Sequence, residues 1–300
     1  MLLSLPDFDL ASPSSVAEAC ALLAKQDGEA RLFAGGTDLF VKMKHRRATP
    51  RHLINIKGIE GLDHISHDET AGLRIGALCT AQAINDSPVI SEKFPVLVQA
   101  AGLLGTTHIR NLGTIGGNLA NASPSAEFAP PLLVLGASVE AAGIERTRSI
   151  PIDEFFLGPG KSALAADEMV TEIRVPVPPA GAEAIYLKHG LRRMDVATAS
   201  AAALLVADGG LIGEARIALG AVAPTPFRAG PAEAMLRGQA IDGAAADGGL
   251  LEQAARRAEE QTEPIDDLRG TAEYRRKIIR LLVRQGLDRV LGRLTGEASP

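Results

Sequence analysis

Near the N-terminus, after a short edge segment around Phe8, the apolar positions Val16, Ala19, Cys20, Leu22 and Leu23 recur at intervals of three and four, which places them on one face of a helix. Ser12-Pro13 supplies an N-cap with proline in the first turn, and Gly28 supplies the stop. Leu32-Phe33 and Leu53-Ile54-Asn55-Ile56 then flank FVKMKHRR, which reads as a helix, so a small β-α-β unit fills residues 30 to 57. From Gly58 the pattern restarts. Leu73 to Gly76 alternates as a strand, Ala81 to Asn85 reads as a short helix and Val89 to Leu104 as a longer one; Leu132 to Leu135 and Val139 to Ala142 continue the region. Glu172 to Val175 closes it as an alternating strand before Pro176, Pro178, Pro179 and Gly181, which read as a linker. Beyond Ala184 the alternating segments lengthen, Ala184 to Lys188, Ala197 to Ala207 and Ala215 to Val222, interrupted by the hairpin signal Asp208-Gly209-Gly210. Helices finish the chain at Ala232 to Leu236, Leu250 to Glu259 and about Ala272 to Leu294, the last with Tyr274, Ile278, Leu281, Leu282, Leu287, Val290 and Leu291 on one side. The pattern predicts an α+β chain. A two-part domain covers residues 1–176, divided at about 57, and an antiparallel sheet of three strands under three helices covers residues 180–295.

Composition narrows the function. Three hundred residues with 46% apolar content suffice for two or three subdomains. The 31 basic and 36 acidic residues leave a net charge of −5, which argues against nucleic acid as the main partner. The longest uncharged apolar run, Val196 to Ala207, falls short of the roughly 20 residues a membrane span requires. MLLSLPDFDL has no basic region and meets Asp7 at once, so a secretory signal is not expected and a cytoplasmic location is. Only Cys20 and Cys79 are present, far apart, so neither an iron–sulfur cluster nor a structural zinc can be housed by this chain alone; both cysteines read as buried small hydrophobes.

The candidate chemistry lies in two glycine-rich stretches. Asn111 to Asn118, NLGTIGGN, sets Gly113, Gly116 and Gly117 within five positions. They remove the Cβ atoms that would hold a ligand off the backbone, and they permit left-handed dihedrals that turn successive N–H groups to one side, a grip for phosphate. Thr114, Asn118, Asn121, Ser123 and Ser125 add short donors and acceptors. A glycine-rich turn between core segments would look the same from this loop alone. The other stretch, Ala34 to Leu39, AGGTDL, runs from the apolar Arg31-Leu32-Phe33 into a helix, which gathers free N–H groups and the positive helix end at one point. Two such loops suit one diphosphate. No G-x-G-x-x-G follows a strand: Gly158-Pro159-Gly160-Lys161-Ser162-Ala163 has proline in the turn and no clear helix after it, and an ATP-binding loop would need glycine where Phe155 stands. Lys42, Lys44, His45, Arg46 and Arg47 read first as a solvated face and second as a patch for a cofactor or an acidic partner. His108 and Asp153, each without a near partner, read as structural residues before acid–base candidates.

FAGGTDLFVKMKHR followed about seventy residues later by IRNLGTIGGNLANASPSAEFAPPLLVLGASV resembles the FAD-binding subunit of the molybdenum hydroxylases, the xanthine dehydrogenase and carbon monoxide dehydrogenase group, with a flavin domain of the p-cresol methylhydroxylase type. GPGKSALAADEMVTEIRVP, AIYLKHGLRRMDVATASAAALL, ARIALGAVAPTPFRA and GTAEYRRKIIRLLVRQGL are similar, in that order, to segments of the same subunit.

The resemblance implies that Phe33, Ala34, Gly35, Gly36, Thr37, Asp38 and Leu39, together with Thr114, Ile115, Gly116, Gly117 and Asn118, wrap an FAD diphosphate by backbone donors, with Thr106 and Asn111 beside them. Ser125 and Glu127 fall at positions that serve the adenosine half, Glu127 standing where an aspartate is common. Ile173 and Lys188 occupy positions near the isoalloxazine, and Asp195 matches an acid beside the flavin. With Thr37 in the first loop and no cysteine in the second, non-covalent FAD is expected. The implied role is electron relay: from a molybdenum centre on a large subunit, through [2Fe–2S] clusters on a small one, to this FAD and on to NAD⁺, a quinone or oxygen, in a dimer of heterotrimers. No catalytic residue and no metal is assigned to this chain. Two alternatives remain open, a self-contained FAD-dependent oxidase and a non-enzymatic nucleotide-binding assembly subunit.

Overall fold

The structure is a computed structural model and describes residues 4–26, 28–242 and 248–296. The first layer is β1 (Asp9–Ala11), α1 (Val16–Lys25), β2 (Ala30–Phe33), α2 (Leu39–Lys44) and β3 (His52–Asn55), with the strands in a parallel sheet of order β1-β3-β2. The β-α-β unit is as its pattern predicts, but the start of α1 is not. Ser15, not Ser12, is the N-cap: its hydroxyl accepts the Glu18 N–H at 3.2 Å while the Glu18 carboxylate takes the Ser14 N–H at 2.8 Å, so Pro13 precedes the helix. The helix expected over FVKMKHRR stops at Lys44, because His45 caps it and Arg46 turns to φ 55°.

The second layer comprises β4 (Ile65–Asp68), β5 (Gly72–Gly76), α3 (Ala81–Asp86), α4 (Pro88–Lys93), α5 (Pro95–Leu103), α6 (Thr107–Arg110), α7 (Ile115–Ala120), α8 (Ala129–Leu135), β6 (Ser138–Ala142), β7 (Thr147–Pro151), α9 (Ile152–Phe155), β8 (Phe156–Gly158), β9 (Lys161–Ser162) and β10 (Met169–Val175). Its antiparallel sheet runs β4-β5-β10-β6-β7. The single helix expected from Val89 to Leu104 is two, since Pro95 has no N–H to continue the first and Phe94 leaves helical geometry at φ −137°. Strands β4 and β7 had too few apolar positions to be read: Ser66 and Asp68 face solvent in one, Thr147, Arg148 and Ser149 in the other.

The third layer is β11 (Ala182–His189), β12 (Ala199–Asp208), β13 (Leu211–Gly220) and β14 (Phe227–Arg228), then α10 (Gly230–Leu236) and the helices Gly248–Glu259 and Ala272–Thr295. Four strands, not three, make the sheet β11-β12-β13-β14, and the Gly209-Gly210 turn closes its central hairpin with both residues at positive φ. Seven consecutive residues of β12, from Ala199 to Leu205, are buried because both faces are covered. Tyr186, Ala202, Leu204 and Ala218 pack into the second layer's core, whereas Ile185, Ala201, Ala203 and Leu205 pack under the terminal helices. Helix α8 is buried at every residue and packs against β12 and β13 of the third layer and against α5 and α9 of the second. On the long terminal helix the buried face runs through Ile279, Leu282, Val283, Leu287 and Val290, so Tyr274 and Leu281, expected on it, remain exposed. Buried Arg275 takes that place because its guanidinium donates to the carbonyls of Thr198 (2.7 Å) and Ala221 (3.1 Å) and to Asp267 (2.5 Å). No helix among the described residues is long and apolar enough to cross a membrane.

Glu168, ahead of β10, ties the β6–β7 hairpin to the strand: it accepts from Arg146 (2.9 Å), Arg148 (2.8 and 2.9 Å) and the Ala165 N–H (2.7 Å). Arg148, above all, holds its carboxyl down from an ordinary 4.5 to about 2. The stability this adds is complete above the unfolded value and is lost as pH falls towards the folded one. Glu168→Gln is therefore expected to flatten the acid limb of the unfolding midpoint between about pH 5 and pH 2, read by urea titration.

Candidate cofactor-binding site

Strands β2 and β3 are parallel neighbours with Phe33 opposite Asn55, so the chain leaves both at one sheet edge, where the carboxyl ends of open α/β sheets take ligands. After β2 comes Ala34-Gly35-Gly36-Thr37-Asp38. Gly36 stands at φ 69°, and a Cβ there would press on the Phe33 and Phe40 rings at 2.7 and 2.8 Å. At Gly35 a Cβ would overlap the Leu112 carbonyl, so the two glycine-rich loops touch backbone to backbone. The N–H groups of Gly35, Gly36, Thr37 and Asp38 meet no acceptor among the described residues.

The second loop is built differently. Thr106 caps α6, Asn111 ends it, and Thr114 caps α7 by accepting the Gly117 N–H at 3.1 Å. Gly113 donates to Ile109 O (2.7 Å), Ile115 to Cys79 O (2.9 Å), Gly116 to Ala77 O (3.0 Å) and Asn118 to Thr114 O (2.9 Å). Of the N–H groups from Gly113 to Asn118, only that of Thr114 lacks an acceptor among the described residues. The expectation that both loops offer backbone donors is thus corrected, as is the left-handed geometry: none of Gly113, Gly116 and Gly117 has positive φ. Gly116 is required by close packing, since a Cβ would lie 2.7 Å from Ala77. Lys42, read first as part of a solvated face, reaches from α2 to the Asn121 side-chain oxygen at 2.5 Å, whereas Lys44, His45, Arg46 and Arg47 are exposed.

Glu127 and Lys188, which the resemblance places at opposite halves of the cofactor, are one buried ion pair at 2.8 Å. The Tyr186 hydroxyl donates to the other Glu127 oxygen at 2.6 Å, and Lys188 also donates to Leu103 O at 2.8 Å. Burial raises the Glu127 pKa, and Lys188 and Tyr186 oppose that rise; burial, reinforced by Glu127, pushes the Tyr186 phenol well above its usual range. Both side chains are spent on each other across the seam between the second and third layers. Ile173 is fully buried in the second layer's core, opposite Ile75 and Val139, so its side chain faces core and not a ligand. Asp195 lies in the β11–β12 loop, 3.8 Å from Arg192. The root of that loop is held by Thr198 N–H to His189 O (2.8 Å) and by the Ser125 hydroxyl to Ala197 O (3.4 Å), which brings Ser125 and the Asp195 loop together.

Between the first and second layers opens a cleft of about 440 Å³, lined by Ala34, Gly35, Asn111, Leu112 and Thr114 and, from the segment after β3, by Lys57, Glu60 and Asp63. Sequence reasoning missed that last segment, although its position after a strand parallel to β2 was the available signal. A diphosphate-bearing cofactor fits the donors that line the cleft, which are the unmatched Gly35 N–H, the Lys57 ammonium and the hydroxyls of Thr80 and Thr114. Gly158 to Ser162, the other glycine motif, is a hairpin of β8 and β9. His108 and Asp153 are both exposed and share no hydrogen bond. No cluster of His, Cys, Asp and Glu able to hold a metal occurs among the described residues.

Residues 6–178 match the family of the FAD binding domain in molybdopterin dehydrogenase, and residues 185–290 match the CO dehydrogenase flavoprotein C-terminal domain. The chain is 38% identical over 286 residues to the carbon monoxide dehydrogenase medium chain of Afipia carboxidovorans, covering 95% of this chain and 97% of the relative. It is 31% identical over 295 residues to the putative xanthine dehydrogenase FAD-binding subunit of Escherichia coli, covering 97% and 99%. A chain of the carbon monoxide dehydrogenase from Hydrogenophaga pseudoflava superposes with a TM-score of 0.92 at 36% identity, over 97% of this chain and 99% of that one.

Gly35→Ala forces a side chain against the Leu112 carbonyl and is expected to cost about 1–3 kcal/mol, whereas Gly58→Ala, in the same cleft with nothing within 4 Å of its Cβ, is expected to leave the urea midpoint unchanged. Lys188→Met strands the Glu127 carboxylate and is expected to cost about 3–5 kcal/mol, while the double variant Glu127→Leu/Lys188→Met recovers part of that loss.

Proposed function

The chain belongs to the FAD-binding subunits of the molybdenum hydroxylases, and on that premise we propose that the loop Phe33–Leu39 and Thr114 hold the FAD diphosphate at the cleft between the first two layers. The observation that supports this reading is the run of unmatched N–H groups from Gly35 to Asp38 on a loop that borders the cleft. FAD, when bound, supplies the ring that takes up and passes on electrons. This chain's residues bind and orient it. Gly35 and Gly36 bring the backbone to the phosphates, Thr114 adds an N–H beside its capping hydroxyl, and the buried Glu127–Lys188 pair fixes the third layer so that the Asp195 loop lies against Ser125. Residues 1–176 form the FAD-binding domain and residues 180–295 a C-terminal α+β domain, whose Tyr186, Ala202, Leu204 and Ala218 pack into the core of the second layer.

The medium-chain and FAD-binding-subunit names of the relatives support a multi-subunit complex; within it we propose a small [2Fe–2S] subunit and a large molybdopterin subunit, assembled as a dimer of heterotrimers in the cytoplasm. The acceptor is NAD⁺, a quinone or oxygen. Thr37 in the first loop and the lack of cysteine in the second leave the cofactor non-covalent.

The visible absorption spectrum of the purified chain, alone and in its complex, tests the reading. A flavin band is expected, with a chromophore that acid or heat releases as FAD. A chain that stays colourless after incubation with FAD, alone and in complex, overturns it.

A further inference from the structure

We propose that the cations at and just beyond the end of α2, Lys44, Arg46 and Arg47, form a docking surface for a carboxylate-rich face of another subunit of the complex. The proposal takes its partner from the multi-subunit reading above and is independent of where FAD binds.

Between Asp38 and Glu60 the only Lys, Arg, Asp or Glu residues are Lys42, Lys44, Arg46, Arg47, Arg51 and Lys57, all cationic, in a chain of net charge −5. The fold occupies three of them: Arg51 lies 3.6 Å from Glu29, Lys42 reaches Asn121 and Lys57 covers the Phe33 ring. Lys44, Arg46 and Arg47 are exposed, and none of them forms an ion pair among the described residues. Other surface arginines are neutralised in place, Arg74 and Arg174 by Glu172 and Arg148 by Glu168. The helix dipole accounts for a cation in the last turn, which is Lys44, but not for two arginines past it.

The patch is also held in shape. Met43 is fully buried, and the Arg47 N–H returns to Lys42 O at 2.8 Å. Arg46 stands at φ 55°, where glycine would be less strained, and its guanidinium donates to Ser4 O (2.9 Å) and Met43 O (3.2 Å). A surface whose backbone is already fixed loses little freedom on docking. Val41 decides the class of partner. It is 53% exposed and lies one turn before Lys44 on the same helix face, an apolar contact beside the charges. A protein face rich in carboxylates uses both, whereas a nucleic acid uses the cations alone and is repelled by the chain's net charge. An anionic lipid surface needs a larger apolar face than one valine.

The test assembles the complex from this chain and its partner subunits and follows association against ionic strength. Lys44→Gln/Arg47→Gln, which spares the anchored Arg46, is expected to slow association on the order of tenfold at about 0.1 M salt and hardly at all at about 1 M, where charges are screened. Its urea midpoint and FAD content are expected to match those of the unaltered chain. Lys161→Gln/Arg284→Gln changes the net charge equally at two other exposed positions and is expected to assemble normally. The proposal is overturned if the first variant assembles as the unaltered chain does, if the control slows as much, or if the first variant loses FAD, which assigns the patch to the cofactor. Retention of the unaltered chain, but not of the first variant, on phosphatidylserine vesicles or duplex DNA at about 0.15 M salt also overturns it, by giving the patch a different partner. A chain that binds no FAD but assembles with the expected salt dependence removes the FAD reading and leaves this one standing.

Discussion

The arrangement depends on one close approach. The Gly35 backbone lies against the Leu112 carbonyl with no room for a Cβ, so a loop of the parallel sheet and a loop of the antiparallel sheet meet without side chains between them. A contact made by backbone alone has few degrees of freedom, and it fixes how the two layers face each other more tightly than packed side chains would. Thr37 faces Gly113 across the same junction, and Lys42 reaches Asn121 beyond it, so the contact is stapled on the far side. The cleft exists because the loops touch at one point and diverge from it, one wall from each layer.

A second fixed point holds the third layer. The apolar seam around α8, Tyr186, Ala202 and Leu204 supplies the burial, but burial is non-directional and would tolerate sliding of β11 along α5. The polar contacts remove that freedom. Gln99 accepts the Tyr186 N–H at 2.8 Å, Tyr186 and Lys188 grip Glu127 from alternate positions of one strand, and Lys188 also reaches Leu103 O. A buried ion pair adds little net stability, because desolvation offsets most of its attraction; what it penalises is every register in which one partner is left alone. Asp195 lies a few residues beyond Lys188 on the same chain, so the register of β11 decides where that loop begins.

Much of this was legible in the sequence where periodicity and turn chemistry agree. The β-α-β unit, the Asp208-Gly209-Gly210 hairpin and the terminal helices followed from spacing alone. What failed has physical causes. Ser12 and Ser15 are both plausible caps, and only the reach of Glu18 selects Ser15. β4 and β7 escaped because edge strands expose their polar residues. For the site, glycine spacing located both loops but not which carried free donors. Glu127 and Lys188 were selected as ligand contacts and proved to be each other's partner, with Tyr186 between them, a pairing of residues 61 apart that no local pattern encodes. Lys57, Glu60 and Asp63 look like any polar turn until β3 is known to lie beside β2.

The contrast between the two glycine loops follows from burial. Ile115 and Gly116 lie in the core, where an N–H without an acceptor costs the full desolvation of that group, so Cys79 and Ala77 must supply carbonyls from within the chain. Gly35, Gly36 and Thr37 are only partly covered, and water can satisfy their donors at little cost. The same residue type at similar spacing therefore serves two ends: in the second loop glycine lets the backbone pack into the core, and in the first it leaves the backbone open to a ligand. Depth relative to the core, not the glycine pattern, decides which loop can offer its amides to a phosphate.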